Sequence, residues 1–158
     1  GRKPTEVTHV LMTHGHADHA GGLSLLSEAT VMGRVPEQEN LTEHAGEAGA
    51  IDEPIEEGQI LEFGDHAVHV IAAPGHTPGT TVYWVDGVVI LGDAAIATGA
   101  GAIEPAPEDR SEDPGAAESV LKGLAARLEG LELRVDWLVP AHSGGVEGLG
   151  PLRVYAAQ

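Results

Sequence analysis

The stretch Thr13-His14-Gly15-His16-Ala17-Asp18-His19 constrains the chain most, because four metal-binding side chains fall within six residues directly after an apolar run ending at Met12. In extended backbone the side chains alternate faces, so His14 and His16 present their imidazoles on one side. Asp18 and His19 are adjacent and diverge unless the chain turns there. A turn from a strand end into a helix starting near Ala20 brings that pair to a second ion beside the first. The spacing therefore points to two neighbouring metals, with His14 and His16 on one and Asp18 and His19 on the other. One histidine in such a loop would be read as solvated; three with an aspartate reverse that reading.

Donors recur where later strands give way to loops. Ala67 to Ala73 reads as a strand ending at Pro74-Gly75-His76. Thr80 to Val85 and Val88 to Leu91 form a hairpin about Asp86-Gly87 and end at Gly92-Asp93. Val135 to Val139 is one more strand and delivers Pro140-Ala141-His142. The chain has no cysteine, which leaves imidazole and carboxylate as the strong ligands.

The remaining segments supply a frame. Val7 to Met12 is a short strand that contains His9, read as a packed histidine. Ala20 to Glu28 reads as a short helix packed through Leu23, Leu25 and Leu26. Thr30 to Gly33 is a short strand, Pro36 to Gly49 an exposed, acidic helix or loop, and Ile51 to Gln59 a loop. His44, in the acidic segment, is read first as a solvated surface residue, with contact to a substrate as the alternative. Ile60 to Phe63 pairs with Ala67 to Ala73 across Gly64-Asp65, and His66 and His69 belong to that sheet. Thr98 to Asp113 carries no period and reads as a long loop of the kind that covers a site. Asp113-Pro114 starts a helix with Asp as N-cap, a stripe of Val120, Leu121, Leu124 and Leu128, and Gly130 at its end. Hairpins interrupted by helices fit an α/β architecture of two sheets with helices outside them.

With 158 residues, the chain is expected to form one domain, 1–158, with a core built mainly from Val, Leu, Ile and Ala. A net charge of −17 repels phosphate backbones, so nucleic acid is not an expected partner; a small-molecule substrate is. No apolar run approaches the roughly 18 residues of a membrane span, and the polar start Gly1-Arg2-Lys3-Pro4-Thr5-Glu6 is unlike a signal peptide. The expected location is the cytoplasm.

The run THGHADH followed by Gly21-Gly22, with Pro74-Gly75-His76-Thr77-Pro78-Gly79, Gly92-Asp93-Ala94 and Pro140-Ala141-His142-Ser143 in that order, resembles the metallo-β-lactamase fold superfamily. The resemblance runs from about Val7 to His142. It implies a metallo-β-lactamase-type αβ/βα sandwich. It also implies that His14, His16 and His76 hold one ion, that Asp18, His19 and His142 hold a second, and that Asp93 bridges both. Two divalent ions, Zn by first expectation with Fe or Mn compatible, would share a hydroxide able to attack a thioester, ester or lactone. Asp18 doubles as a proton acceptor in that scheme.

Two departures from the family pattern bear on function. The zinc β-lactamases commonly place cysteine at the position matching Asp93, so the all-His/Asp set looks more like hydroxyacylglutathione hydrolase and its relatives. Family members also usually carry several strands ahead of the HxHxDH motif, whereas thirteen residues precede His14. A sheet short of those strands is expected to expose an apolar face and to pair with a second copy. The persulfide dioxygenases share the same motifs and bind a single iron through the positions matching His14, His76 and Asp93. A mononuclear iron enzyme and a non-catalytic, incomplete domain are the alternatives to a hydrolase.

Overall fold

The computed structural model describes residues 3–158; Gly1 and Arg2 of the polar start lie outside the described residues. The first strand, β1 (His9–Leu11), shows how alternation divides the interior. Val10 packs against the cluster of Met12, Ala20, Val31 and Leu41, while Leu11 packs on the other side, against the cluster of Met32, Val70 and Tyr83. After β1 come the helical turn α1 (Ala17–Ala20), a 3-10 turn over Leu23–Leu26, and β2 (Thr30–Gly33), which lies parallel to β1 with Val10 opposite Val31. Helix α2 (Gln38–Ala45) crosses back, and β3 (Glu53–Pro54) adds to β2 in parallel.

The second sheet is built from hairpins. β4 (Ile60–Phe63), β5 (His66–Ala72), β6 (Thr81–Val85) and β7 (Val88–Gly92) run antiparallel in sequence order. Asp86 and Gly87 both have positive φ, 49° and 88°, as the tight turn between β6 and β7 requires. A separate ribbon pairs β8 (Ile96–Ala97) with β9 (Ile103–Glu104). Helix α3 (Pro114–Gly130) then serves as the crossover to β10 (Trp137–Pro140), which lies parallel to β7. β11 (Val146–Glu147) closes that edge and α4 (Gly150–Ala156) ends the chain.

Both faces of the six-stranded sheet are covered. Ile71, Val82, Val89, Leu91 and Leu138 meet Leu121, Leu124 and Leu128 of α3 and Leu152 and Tyr155 of α4. Val68, Val70 and Tyr83 meet Met32 of the small sheet, whose far side is covered by Leu23 and Leu41. The result is helix, sheet, sheet, helix: the expected αβ/βα sandwich.

Three local expectations are revised. The 36–49 segment is helical but not simply exposed, since Glu37 and Leu41 are fully buried against the ligand loop. Leu23 alone anchors the turn after α1, and Leu25 is 73% exposed, because a 3-10 turn does not align Leu23, Leu25 and Leu26 on one face. Within 98–113, residues Ile103 and Glu104 form β9, and Ile103 enters the core.

Candidate metal centre

Three hydrogen bonds, with β2 and β6, fix the ligand loop at the end of β1. Met12 N donates to Met32 O (2.9 Å), Tyr83 Oη donates to Met12 O (2.6 Å), and Thr81 N donates to Thr13 O (2.8 Å). Gly15 sits directly under α2: a Cβ there would lie 2.5 Å from Leu41 N and 2.7 Å from Asn40 C, so no other residue fits without moving the helix. His16 caps α1, which begins at Ala17, three residues earlier than expected, and places Asp18 and His19 on its single turn. His76 stands in the β5–β6 connection, Asp93 just past β7, and His142 just past β10. Ala141 N donates to Gly92 O (3.0 Å), which draws the last two together.

The structure brings all seven residues into one cluster. Oδ2 of Asp93 lies 3.3 Å from His142 Nε2, 3.5 Å from His19 Nε2, 3.6 Å from His76 Nε2 and 3.9 Å from His14 Nε2. His16 Nδ1 and His76 Nε2 are 3.0 Å apart, and His14 joins them in one compact donor group. His19 Nε2 and His142 Nε2 are 3.1 Å apart, with Asp18 Oδ2 3.2 Å from His142, and these three make a second group. The first group is the buried one: His14 is 0% and His76 3% exposed, against 52% for the His142 side chain and 60% for that of Asp18.

Burial governs the charge state. It pushes His14 down to about 3, assisted by the neighbouring His19 and His76, and pushes His76 down to about 4 against the pull of Asp93. Both imidazoles are therefore neutral, with a lone pair to offer. The hydrogen bond to Asp93 raises His19. Burial works to raise Asp93, but His19, His14 and His142 together hold it below the ordinary carboxylate value.

This donor set fits divalent metal. Ligands on bonds of about 2.1 Å in a tetrahedron stand about 3.4 Å apart, the spacing found among these nitrogens and oxygens. His14 Nε2 and Asp93 Oδ1 are buried without a hydrogen-bond partner, as lone pairs directed at a metal would be.

A cavity of about 910 Å³ opens onto the cluster. Asp18, Asp93 and His142 line it together with Pro107, Arg110 and Glu112 of the long connection, so that segment borders the site. His44 lies on the wall too, its ring 6.2 Å from that of His16, rather than merely on the surface. His66 pairs with Asp86 and His69 packs edge-on against Trp84, both on the large sheet; His9 is exposed and rests on Phe63. The residue that sequence reasoning missed is Glu37, one acid among several in a polar stretch, which turns inward under the ligand loop.

The fold and the donor groups define an αββα sandwich with a His/Asp cluster able to hold metal at one end of its sheets. The chain belongs to the metallo-β-lactamase superfamily, whose family model matches residues 1–142. It is similar to hydroxyacylglutathione hydrolase from Rhodobacter capsulatus, 35% identical over 101 residues that cover 61% of this chain and 37% of the relative. It is 36% identical to metallo-β-lactamase domain-containing protein 1 of Xenopus laevis over 127 residues, 74% of this chain and 51% of that protein. The chain thus spans little more than a third of the hydroxyacylglutathione hydrolases and about half of the Xenopus protein. Among solved structures, a metallo-β-lactamase from Pontibacter korlensis superposes with a TM-score of 0.76 at 16% identity, covering 96% of this chain and 68% of that one. An archaeal superfamily protein from Sulfolobus tokodaii gives 0.66 at 22% identity, covering 96% and 67%. At those identities the likeness is one of fold.

Proposed function

We propose that this chain is a metal-dependent hydrolase that cleaves a thioester, ester or lactone. The observation that carries the reading is the pair of donor groups meeting at the Asp93 carboxylate beneath an open cavity. His14, His16 and His76 would hold one divalent ion, Asp18, His19 and His142 a second, with Asp93 shared. When bound, such ions polarise a carbonyl and lower the pKa of water toward about 7. The chain's own groups do the rest. Neutral His14 and His76 keep their lone pairs directed inward, and Asp93 is held ionised by its histidines. Asp18 stands exposed at the cavity wall, 3.2 Å from His142, where it can accept the proton that an attacking water loses. Arg110, which also lines the cavity, offers a cation to an anionic group on the acyl substrate. Similarity to the hydroxyacylglutathione hydrolases supports a thioester first.

A second reading has one observation in its favour: His14, His76 and Asp93 are much more buried than Asp18 and His142, and two histidines with a carboxylate suit a single iron. Metal analysis of protein purified without added metal, run beside thioester and lactone assays and an oxygen electrode, separates the two. We expect two divalent ions per chain and hydrolysis that chelation abolishes. One iron per chain with oxygen uptake on a persulfide, or no metal at all, would overturn the hydrolase.

A further inference from the structure

Among the described residues, Glu37 is the one carboxylate sealed in the interior, 1% exposed at the start of α2. Its Oε1 accepts from Gly15 N (2.7 Å) and Asn40 Nδ2 (3.2 Å), and its Oε2 accepts from Thr77 Oγ1 (2.6 Å) and Gly79 N (2.8 Å). All four donors are neutral. A buried carboxylate is tolerated only while its hydrogen bonds are complete, so each of these contacts is held firmly in place.

The positions of the donors give the contact its meaning. Gly15 lies between His14 and His16, and Thr77 to Gly79 directly follow His76. One side chain therefore bridges the two loops that carry the whole of the first donor group. None of its hydrogen bonds is to α1, the turn that carries Asp18 and His19, or to the segment of His142. Asn40 extends the link by donating to Glu112 Oε1 (3.0 Å), while Glu112 N donates to His76 O (3.0 Å), which ties in the connection bordering the cavity.

We propose that Glu37 is a positioning residue, an anionic clasp that fixes the His14–His16 and His76 loops against each other and so sets the metal affinity of the first donor group selectively over the second. The proposal rests on the cluster being a metal centre. Loss of a partner that orients ligands typically costs about 10- to 100-fold in metal affinity. Here the loss should fall on one group, whereas a residue that merely fills space would weaken both alike.

The test uses Glu37→Gln, which puts an NH2 opposite a backbone N–H and leaves either Gly15 N or Gly79 N without an acceptor. Glu39→Gln, exposed on the same helix, is the control. In metal-free protein, amide exchange at Gly15 or Gly79 should quicken in Glu37→Gln and stay unchanged at both in the control; unchanged protection at both in Glu37→Gln would overturn the clasp. With Zn2+ titrated against a chromophoric chelator, Glu37→Gln should lose about 10- to 100-fold at one of two steps. An Asp18→Asn background, which weakens the second group, identifies that step as the His14, His16 and His76 group. Equal weakening of both steps overturns the proposal. Failure of the unaltered protein to bind Zn2+ would count against the metal reading, and amide exchange would then decide the clasp alone. Should Glu37→Gln not fold, Thr77→Val removes a single donor at Oε2; a smaller loss at the same step supports the clasp, and unaltered affinity overturns it.

Discussion

Asp93 is the residue on which both donor groups depend, because one of its oxygens stands within 3.9 Å of four imidazole nitrogens. On the proposed two-ion reading, Asp93→Ala removes a ligand shared by both groups, so both ions should be lost or bound at least about tenfold more weakly. His69→Ala removes an edge-on contact with Trp84, and His44→Ala a cavity-lining ring that bonds the Asn40 carbonyl, so both should retain the metal content of the parent. Metal analysis of the three variants after identical dialysis checks this; equal losses in Asp93→Ala and His69→Ala would mean that the cluster is structural. At this scale the donors were legible because imidazole and carboxylate at strand ends are chemically conspicuous. Glu37 was not. Nothing in Pro36-Glu37-Gln38-Glu39 distinguishes the acid that turns inward from the acid that faces water. The distinction arises only when Gly15 and Gly79 arrive from elsewhere in the chain with unpaired N–H groups.

Helix α3 belongs to the frame of the site as well as to the core. Asp113 N donates to Gly75 O (2.9 Å) next to His76, and the Asp113 carboxylate accepts from Ala116 N (2.9 Å) as a helix cap. Asp113→Ala removes the cap at an exposed position and should cost about 1 kcal/mol. In a chain of this size that is a fall of about 2–4 °C in Tm, with metal content unchanged. Thermal unfolding of the metal-free protein measures it, and an unshifted Tm would show that the helix start is held by its backbone contacts alone. This element was legible from end to end, since Asp-Pro opens it, a 3.6-residue stripe runs through it and Gly130 closes it. The β8–β9 ribbon was not, because two-residue strands are too short to display alternation and their pairing is set by Ile103 entering the core from a glycine-rich stretch.

The molecule as a whole stacks two sheets between two helical layers, and alternation along β1, β2, β5 and β6 assigns neighbouring residues to different layers. That much follows from sequence once the strands are placed; which edges stay open does not, since it depends on the order in which strands pair. Among the described residues, β1 pairs with β2 on one side and stands at the end of its sheet. Val7 and Leu25, in the segments that flank it, are exposed at 36% and 73%. On the proposal that this edge pairs with a second copy, a charge of −17 on each chain opposes the pairing. Screening decides between the two, because the range of the repulsion shrinks from about 10 Å in 0.1 M salt to about 3 Å in 1 M, while the edge contact is local and burial of Val7 and Leu25 is not weakened by salt. The expected outcome is a mass near the 16.3 kDa of one chain at low ionic strength, rising toward twice that value as salt is added. Light scattering across a salt series measures it directly; a single-chain mass throughout would show that the β1 edge is closed by its own short length and charged surroundings.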